Sequence, residues 1–226
     1  MTEPLWNYPG RMPAGRNQVE VMEEQAAAIH ADSPQYAEAQ FELMRAYAQA
    51  GRFDDARKVF EILLGLEVPD EAKARAALVV GGWAEGANDY ELAAEFYRRV
   101  ISLDPRAYLG HNNLAYSLNA LSRHSEAEEA ARVAVEIAPD VYNAHKNLGV
   151  ALEGEGRYAE AAQSYLASIE RQPFERRAFR HLESLTTAHP ELLQEVEGLA
   201  AQIEYWRKPT MAKYLKALGY PEPGMN

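Results

Sequence analysis

"LAYSLNALSRHSEAEEAARVAVEIAP" occupies residues 114–139, and "LGVALEGEGRYAEAAQSYLASIERQP" occupies residues 148–173. The second stretch repeats the grammar of the first at an offset of 34 residues. Extending that period outward brings further columns into line. Alanine recurs at Ala56, Ala93, Ala127 and Ala161, and three residues before it stand Phe53, Tyr90, His124 and Tyr158. Four residues after it come Phe60, Tyr97, Ala131 and Tyr165. Leu43, Val80, Leu114 and Leu148 form an aliphatic column, each followed by a small or flexible residue: Met44, Gly81, Ala115 and Gly149. Pro105, Pro139 and Pro173 close three units, whereas the first ends in "EVPDEAK" and adds three residues before the next begins.

Each unit carries two amphipathic stretches with apolar residues at i, i+3, i+4 and i+7. Short polar turns, "AGR" at 50–52 and "GEGR" at 154–157, leave room only for antiparallel neighbours. Alanine or glycine is required where the paired helices approach most closely, because a larger side chain would push their axes apart. Ser125 with Glu128, and Asn88 with Glu91, read as capping boxes that start the second helix. Proline cannot continue a helix and so ends the unit.

These columns resemble the tetratricopeptide repeat family. The units are 37–70, 74–107, 108–141 and 142–175, and the fold implied is all-α: a right-handed α-solenoid of stacked antiparallel helix hairpins with a C-terminal capping helix. Two departures stand out. Val68 replaces the family's proline, and small Ala131 sits where a large aromatic usually fills the gap, which predicts looser packing of the third unit. Around the repeats, residues 1–16 read as an N-terminal arm and 17–36 as an N-terminal helical segment. Residues 176–207 read as a half repeat plus a capping helix, with Pro190 opening "PELLQEVEGLAAQIEYWRK" and Leu192, Val196, Leu199 and Ile203 on one stripe. Residues 208–226 hold a short helix, capped by Thr210 and stopped by Gly219, and a tail. Leu5, Trp6 and Tyr8 of the proline-rich arm either pack on the first helices or meet a groove or partner. The aromatic, basic 205–220 segment either packs on the capping helix or docks elsewhere.

The chain has 226 residues, 47% of them hydrophobic, a formal charge of −11 and no cysteine. That length and composition suit a folded helical protein. Disulfides, thiolate zinc sites and cysteine nucleophiles are excluded. The acidic balance argues against nucleic acid and anionic membrane as partners. "MTEPLWNYPGRMPAG" lacks the pattern of a signal peptide, and the longest uncharged apolar stretch, 76–84, is too short to cross a bilayer. A cytoplasmic protein is expected, and the Ala-, Arg- and Glu-rich style points to a bacterial source.

The resemblance implies that the first helix of each unit lines a concave groove. Its groove positions fall on Glu38, Phe41, Arg45 and Ala48; on Arg75, Leu78, Gly82 and Glu85; on Leu109, Asn112, Tyr116 and Asn119; on Asn143, Lys146, Val150 and Glu153; and on Arg177, Arg180, Ser184 and Thr187. Five of these are basic and three acidic, a locally basic wall in an acidic protein, steepest where Lys146, Arg177 and Arg180 meet His181. Asn113 and Asn147, one repeat apart, stand in a column where the family's asparagines often bond a bound peptide's backbone, which an amide suits as donor and acceptor; a role local to the helix surface is the alternative. Of the family's carboxylate clamp only Asn147 and Arg177 match, so the expectation narrows to a looser preference for acidic or carboxylate-ended peptides.

No catalytic or cofactor site emerges. His111 and His145 occupy an inward column and read as satisfied core histidines rather than metal ligands. "GEG" at 154–156 is an interhelical turn without the strand a phosphate loop needs. The expected function is therefore a non-catalytic protein–protein interaction scaffold. The competing readings are a self-assembling homo-oligomer and an accessory or chaperone subunit of a larger enzyme or secretion assembly.

Overall fold

The computed structural model describes residues 17–220; Leu5, Trp6 and Tyr8 lie outside the described residues. Among these the chain forms thirteen helices and no strand. An N-terminal α1 (Gln18–Ala27) precedes four hairpins: α2 (Tyr36–Gln49) with α3 (Phe53–Gly65), α4 (Asp70–Gly86) with α5 (Tyr90–Leu103), α6 (Tyr108–Ala120) with α7 (His124–Ile137), and α8 (Tyr142–Gly154) with α9 (Tyr158–Arg171). Then come α10 (Arg177–Ala188), α11 (Leu192–Glu195), α12 (Leu199–Arg207) and α13 (Met211–Ala217). Each helix packs on its hairpin partner and on the first helix of the next unit, so a single core runs the length of a solenoid.

The small-residue columns point into that core. A Cβ on Gly81 would lie 2.7 Å from the Tyr97 ring, and one on Gly149 would lie 2.6 Å from the Tyr165 ring; both tyrosines are almost wholly buried. In the third unit the facing pair is Ala115 and Ala131, both fully buried, so the expected looseness opens nothing to solvent there.

All four interhelical turns pass through the left-handed region at equivalent positions: Gly51 (φ +73°), Asn88 (+62°), Ser122 (+59°) and Gly156 (+77°). This geometry overturns the two expected capping boxes. Asn88 is the turn residue and accepts a hydrogen bond from the Tyr90 hydroxyl at 3.0 Å, while Ser125 lies inside α7. α5 is capped instead by Asp89, whose side chain accepts from the Leu92 N–H at 3.1 Å. A true capping box occurs at α1, between Asn17 and Glu20.

At the other three turns an arginine takes the capping position and spans two units. Arg123 binds Glu126 on its own helix at 2.7 Å and Glu91 on α5 at 3.3 Å. Arg157 likewise joins Glu160 and, at 2.7 Å, Glu128 of α7; Arg52 joins Asp55 and Glu23 of α1. Glu91 and Glu128, expected as capping partners, are rungs of this surface ladder.

The C-terminal cap departs from one expected continuous helix. Gly198 adopts φ +73° and breaks it into α11 and α12, yet Leu192, Val196, Leu199 and Ile203 all remain buried. Arg176 fastens α12: its guanidinium donates to the Trp206 carbonyl at 2.9 Å and stacks 3.8 Å above Phe179. A cation at the carbonyl end of a helix is favourable for both hydrogen bonding and the dipole. Thr210 caps α13 as expected, and Met211 at its start and Leu218 at its C-terminal end are largely exposed.

Candidate peptide-binding groove

Residues on α2, α4, α6, α8 and α10 build the candidate groove. The asparagines expected to meet a ligand are spent largely on one another. Asn147 is 3% exposed and its amide donates to both the backbone and the side-chain oxygen of Asn112, each at 3.1 Å. Asn119 donates to the Asn147 carbonyl at 2.9 Å, and Asn112 donates to Asn113 Oδ1 at 3.0 Å. These bonds staple α6 to α8 and engage the amides of Asn112, Asn119 and Asn147 within the fold. Asn113 stays half-exposed. Asn143 has a buried Oδ1 without a partner among the described residues.

The basic wall is also partly neutralised. Arg45 is paired with Glu42, and Arg177 with Glu175 at 2.9 Å. Arg75, Lys146 and Arg180 have no carboxylate within ion-pairing distance among the described residues. Lys146 is 7% exposed, and its ammonium lies 5.8 Å from the Tyr116 ring centroid. Burial, then the neighbouring Arg177, lowers its pKa, against a partial pull from Glu175 and Glu85. His181 stacks on Tyr165 at 5.3 Å, and burial together with Lys146 and Arg180 outweighs Glu153 in holding its pKa down.

Leu109 and Tyr116 are the exposed apolar side chains of this wall, at 51% and 37%. Tyr116 rests edge-on against Tyr90 at 6.2 Å, which fixes its ring. Phe41, further toward the N-terminus, is half-buried against the core. Two of the acids among the expected groove positions are held by tyrosines of the second helices. Glu85 accepts from the Tyr97 hydroxyl at 2.9 Å, and burial raises its pKa; Glu153 accepts from the Tyr165 hydroxyl at 2.5 Å. Each acid thus pairs with the tyrosine whose ring lies over Gly81 or Gly149.

His111 and His145 donate through Nε2 to the carbonyls of Pro105 and Pro139, at 2.9 and 2.7 Å. They are core histidines that tie each unit's first helix to the proline closing the unit before it. Among the described residues no cluster of His, Asp and Glu could hold a metal ion, and no helix is long and apolar enough to cross a membrane.

The architecture, with its repeating small-residue contacts and a wall built from first helices, defines a helical-repeat scaffold. The family model for the tetratricopeptide repeat matches residues 24–72, 41–108, 72–142 and 138–176, and the chain belongs to that family. Among solved structures it is similar to MamA residues 41–end from Desulfovibrio magneticus RS-1, at 16% identity and a TM-score of 0.61 over 78% of this chain and 96% of that one. It is also similar to the first repeat domain of RPAP3 (Spaghetti) bound to the HSP90 peptide SRMEEVD, at 21% identity and a TM-score of 0.50 over 52% and 93%. The repeat domain of Arabidopsis OM64 is comparable, at 22% identity and 0.51 over 52% and 98%. Among curated proteins none matches the chain in sequence.

Proposed function

We propose that this protein is a non-catalytic scaffold that captures an extended segment of a partner protein along the groove. The carrying observation is the juxtaposition of exposed Leu109 and Tyr116 with Lys146, a buried cation that no carboxylate of the described residues neutralises. Apolar anchors supply most of the affinity in such contacts, and the cation selects for acidic or carboxylate-ended segments. A relative of the same fold holds an acidic peptide, which agrees with this class of ligand. Contact residues in this reading are Leu109, Asn113, Tyr116, Lys146, Arg180 and His181, with Asn112, Asn119 and Asn147 as the rigid floor. A cytoplasmic setting goes with it.

Affinity capture followed by mass spectrometry, comparing wild type with Lys146→Ala/Arg177→Ala/Arg180→Ala and with Leu109→Ser/Tyr116→Ala, tests the proposal. Partners lost by both variants support it; an unchanged partner set overturns it. Exposed Phe174, Met211, Leu218 and Tyr220 at the C-terminal end favour self-assembly as the second reading. Light scattering across concentration checks that, and a monomer throughout rules it out.

A further inference from the structure

The three residues added between the first and second units have a structural result. Helix α4 begins at Asp70 and runs 17 residues, whereas α2, α6 and α8 have 13 or 14. Its extra N-terminal turn, 70–73, stands beyond the first turn of α2 and leaves a cavity of about 450 Å³ between them. That lies within the roughly 300–1,000 Å³ of ligand pockets. Leu63 and Phe41 contribute its apolar lining, Val68 and Ala72 close it, and Glu38 and Arg75 stand on opposite walls. Neither Glu38 nor Arg75 has an ion-pair partner among the described residues, and both are exposed. Lys73 is drawn inward, donating to the Leu64 carbonyl at 3.1 Å and lying 3.8 Å from Asp70, which leaves Arg75, among the described residues, as the unpaired cation on the α4 side of the cavity.

From this geometry we infer that the cavity is a specificity pocket for one large apolar side chain of a bound segment, with an acidic residue next to it facing Arg75. The inference rests on the groove reading, because Glu38, Phe41 and Arg75 continue the same wall. It adds a fixed anchor point and a chain polarity, with the acid on the α4 side. The first helices of the third and fourth units, α6 and α8, start without the extra turn.

The test uses the intact chain, labelled with nitrogen-15, titrated with N-acetyl-phenylalanyl-aspartate amide. Saturable NMR shifts at Phe41, Leu63 and Ala72, in the millimolar range expected of so small a ligand, are the supporting result. Replacing the aspartate by lysine, or the phenylalanine by alanine, is expected to weaken binding roughly threefold or more. Ala72→Trp, which fills the cavity, is expected to abolish it, and Arg75→Glu, at an exposed position, to weaken it without disturbing the fold. No saturable shift at these residues, or binding indifferent to Ala72→Trp, overturns the pocket. Its fate separates from that of the groove. Probe binding that persists while partner capture proves independent of Lys146 and Tyr116 leaves the pocket and removes the groove reading; the opposite pattern removes only the pocket.

Discussion

An added Cβ at Gly149 would press on the ring of Tyr165, a side chain with no room to retreat. Gly149→Ala is therefore expected to cost about 1–3 kcal/mol, the usual penalty for overpacking a core. Tyr165→Ala alone should cost about 3–5 kcal/mol. The double variant recreates the Ala115–Ala131 pairing of the third unit, so its loss should be clearly smaller than the sum of the two; urea unfolding of all three proteins measures the coupling. Ser122 holds the turn position that glycine or asparagine fills elsewhere, at φ +59°. A left-handed L-residue costs about 1–2 kcal/mol, and glycine returns part of that through its freer unfolded chain. Ser122→Gly is expected to stabilise by about 0.5–1 kcal/mol, and an unchanged or lowered unfolding midpoint would contradict the strain.

Hairpins were legible in the sequence because small columns and turns repeat, and a repeat averages away local ambiguity. The ends of helices were less so. Asn88–Glu91 and Ser125–Glu128 have capping-box spacing, but the turn's left-handed residue shifts the helix start and hands the acids to Arg123 and Arg157 of the surface ladder. The apolar stripe of 190–207 predicts one continuous helix; the fold breaks it at Gly198 and buries the stripe regardless. The held end of α12 can be checked directly. Arg176→Met is expected to speed hydrogen exchange across 199–217 while leaving the four hairpins protected, and uniform acceleration would mean that Arg176 acts on the whole fold. The contact between His145 and Pro139, which closes the third unit, responds to pH. Burial holds the pKa of His145 below its ordinary value, offset in part by its bond to the Pro139 carbonyl, with Arg171 nearby adding to the depression. The native ring therefore binds fewer protons than the unfolded one, so its contribution is complete above about pH 6.5 and drains as the pH falls through that value. Urea midpoints between pH 8 and pH 5 should decline, less steeply in His145→Gln. An equal slope would assign the decline to other groups.

Along the face built by the first helices, the sequence shows the residue types but not how they engage one another. Residue types and spacing identify which side chains face inward; they do not show that Asn147 reaches Asn112 across two helices or that Arg177 is held by Glu175. In the proposed function Lys146 is the central cation, and at that residue stability is set against function. A buried ammonium without a carboxylate partner carries a desolvation cost that an apolar side chain of similar length avoids. Lys146→Met should accordingly stabilise the solenoid, by about 1 kcal/mol or more, while weakening capture of acidic segments and flattening its salt dependence. A binding residue is expected to show this opposition, because its cost is offset only when a ligand's carboxylate arrives. If Lys146→Met instead lowers the urea midpoint, the lysine is a structural element of the α6–α8 contact. The electrostatic half of the groove would then have to be carried by Arg75 and Arg180.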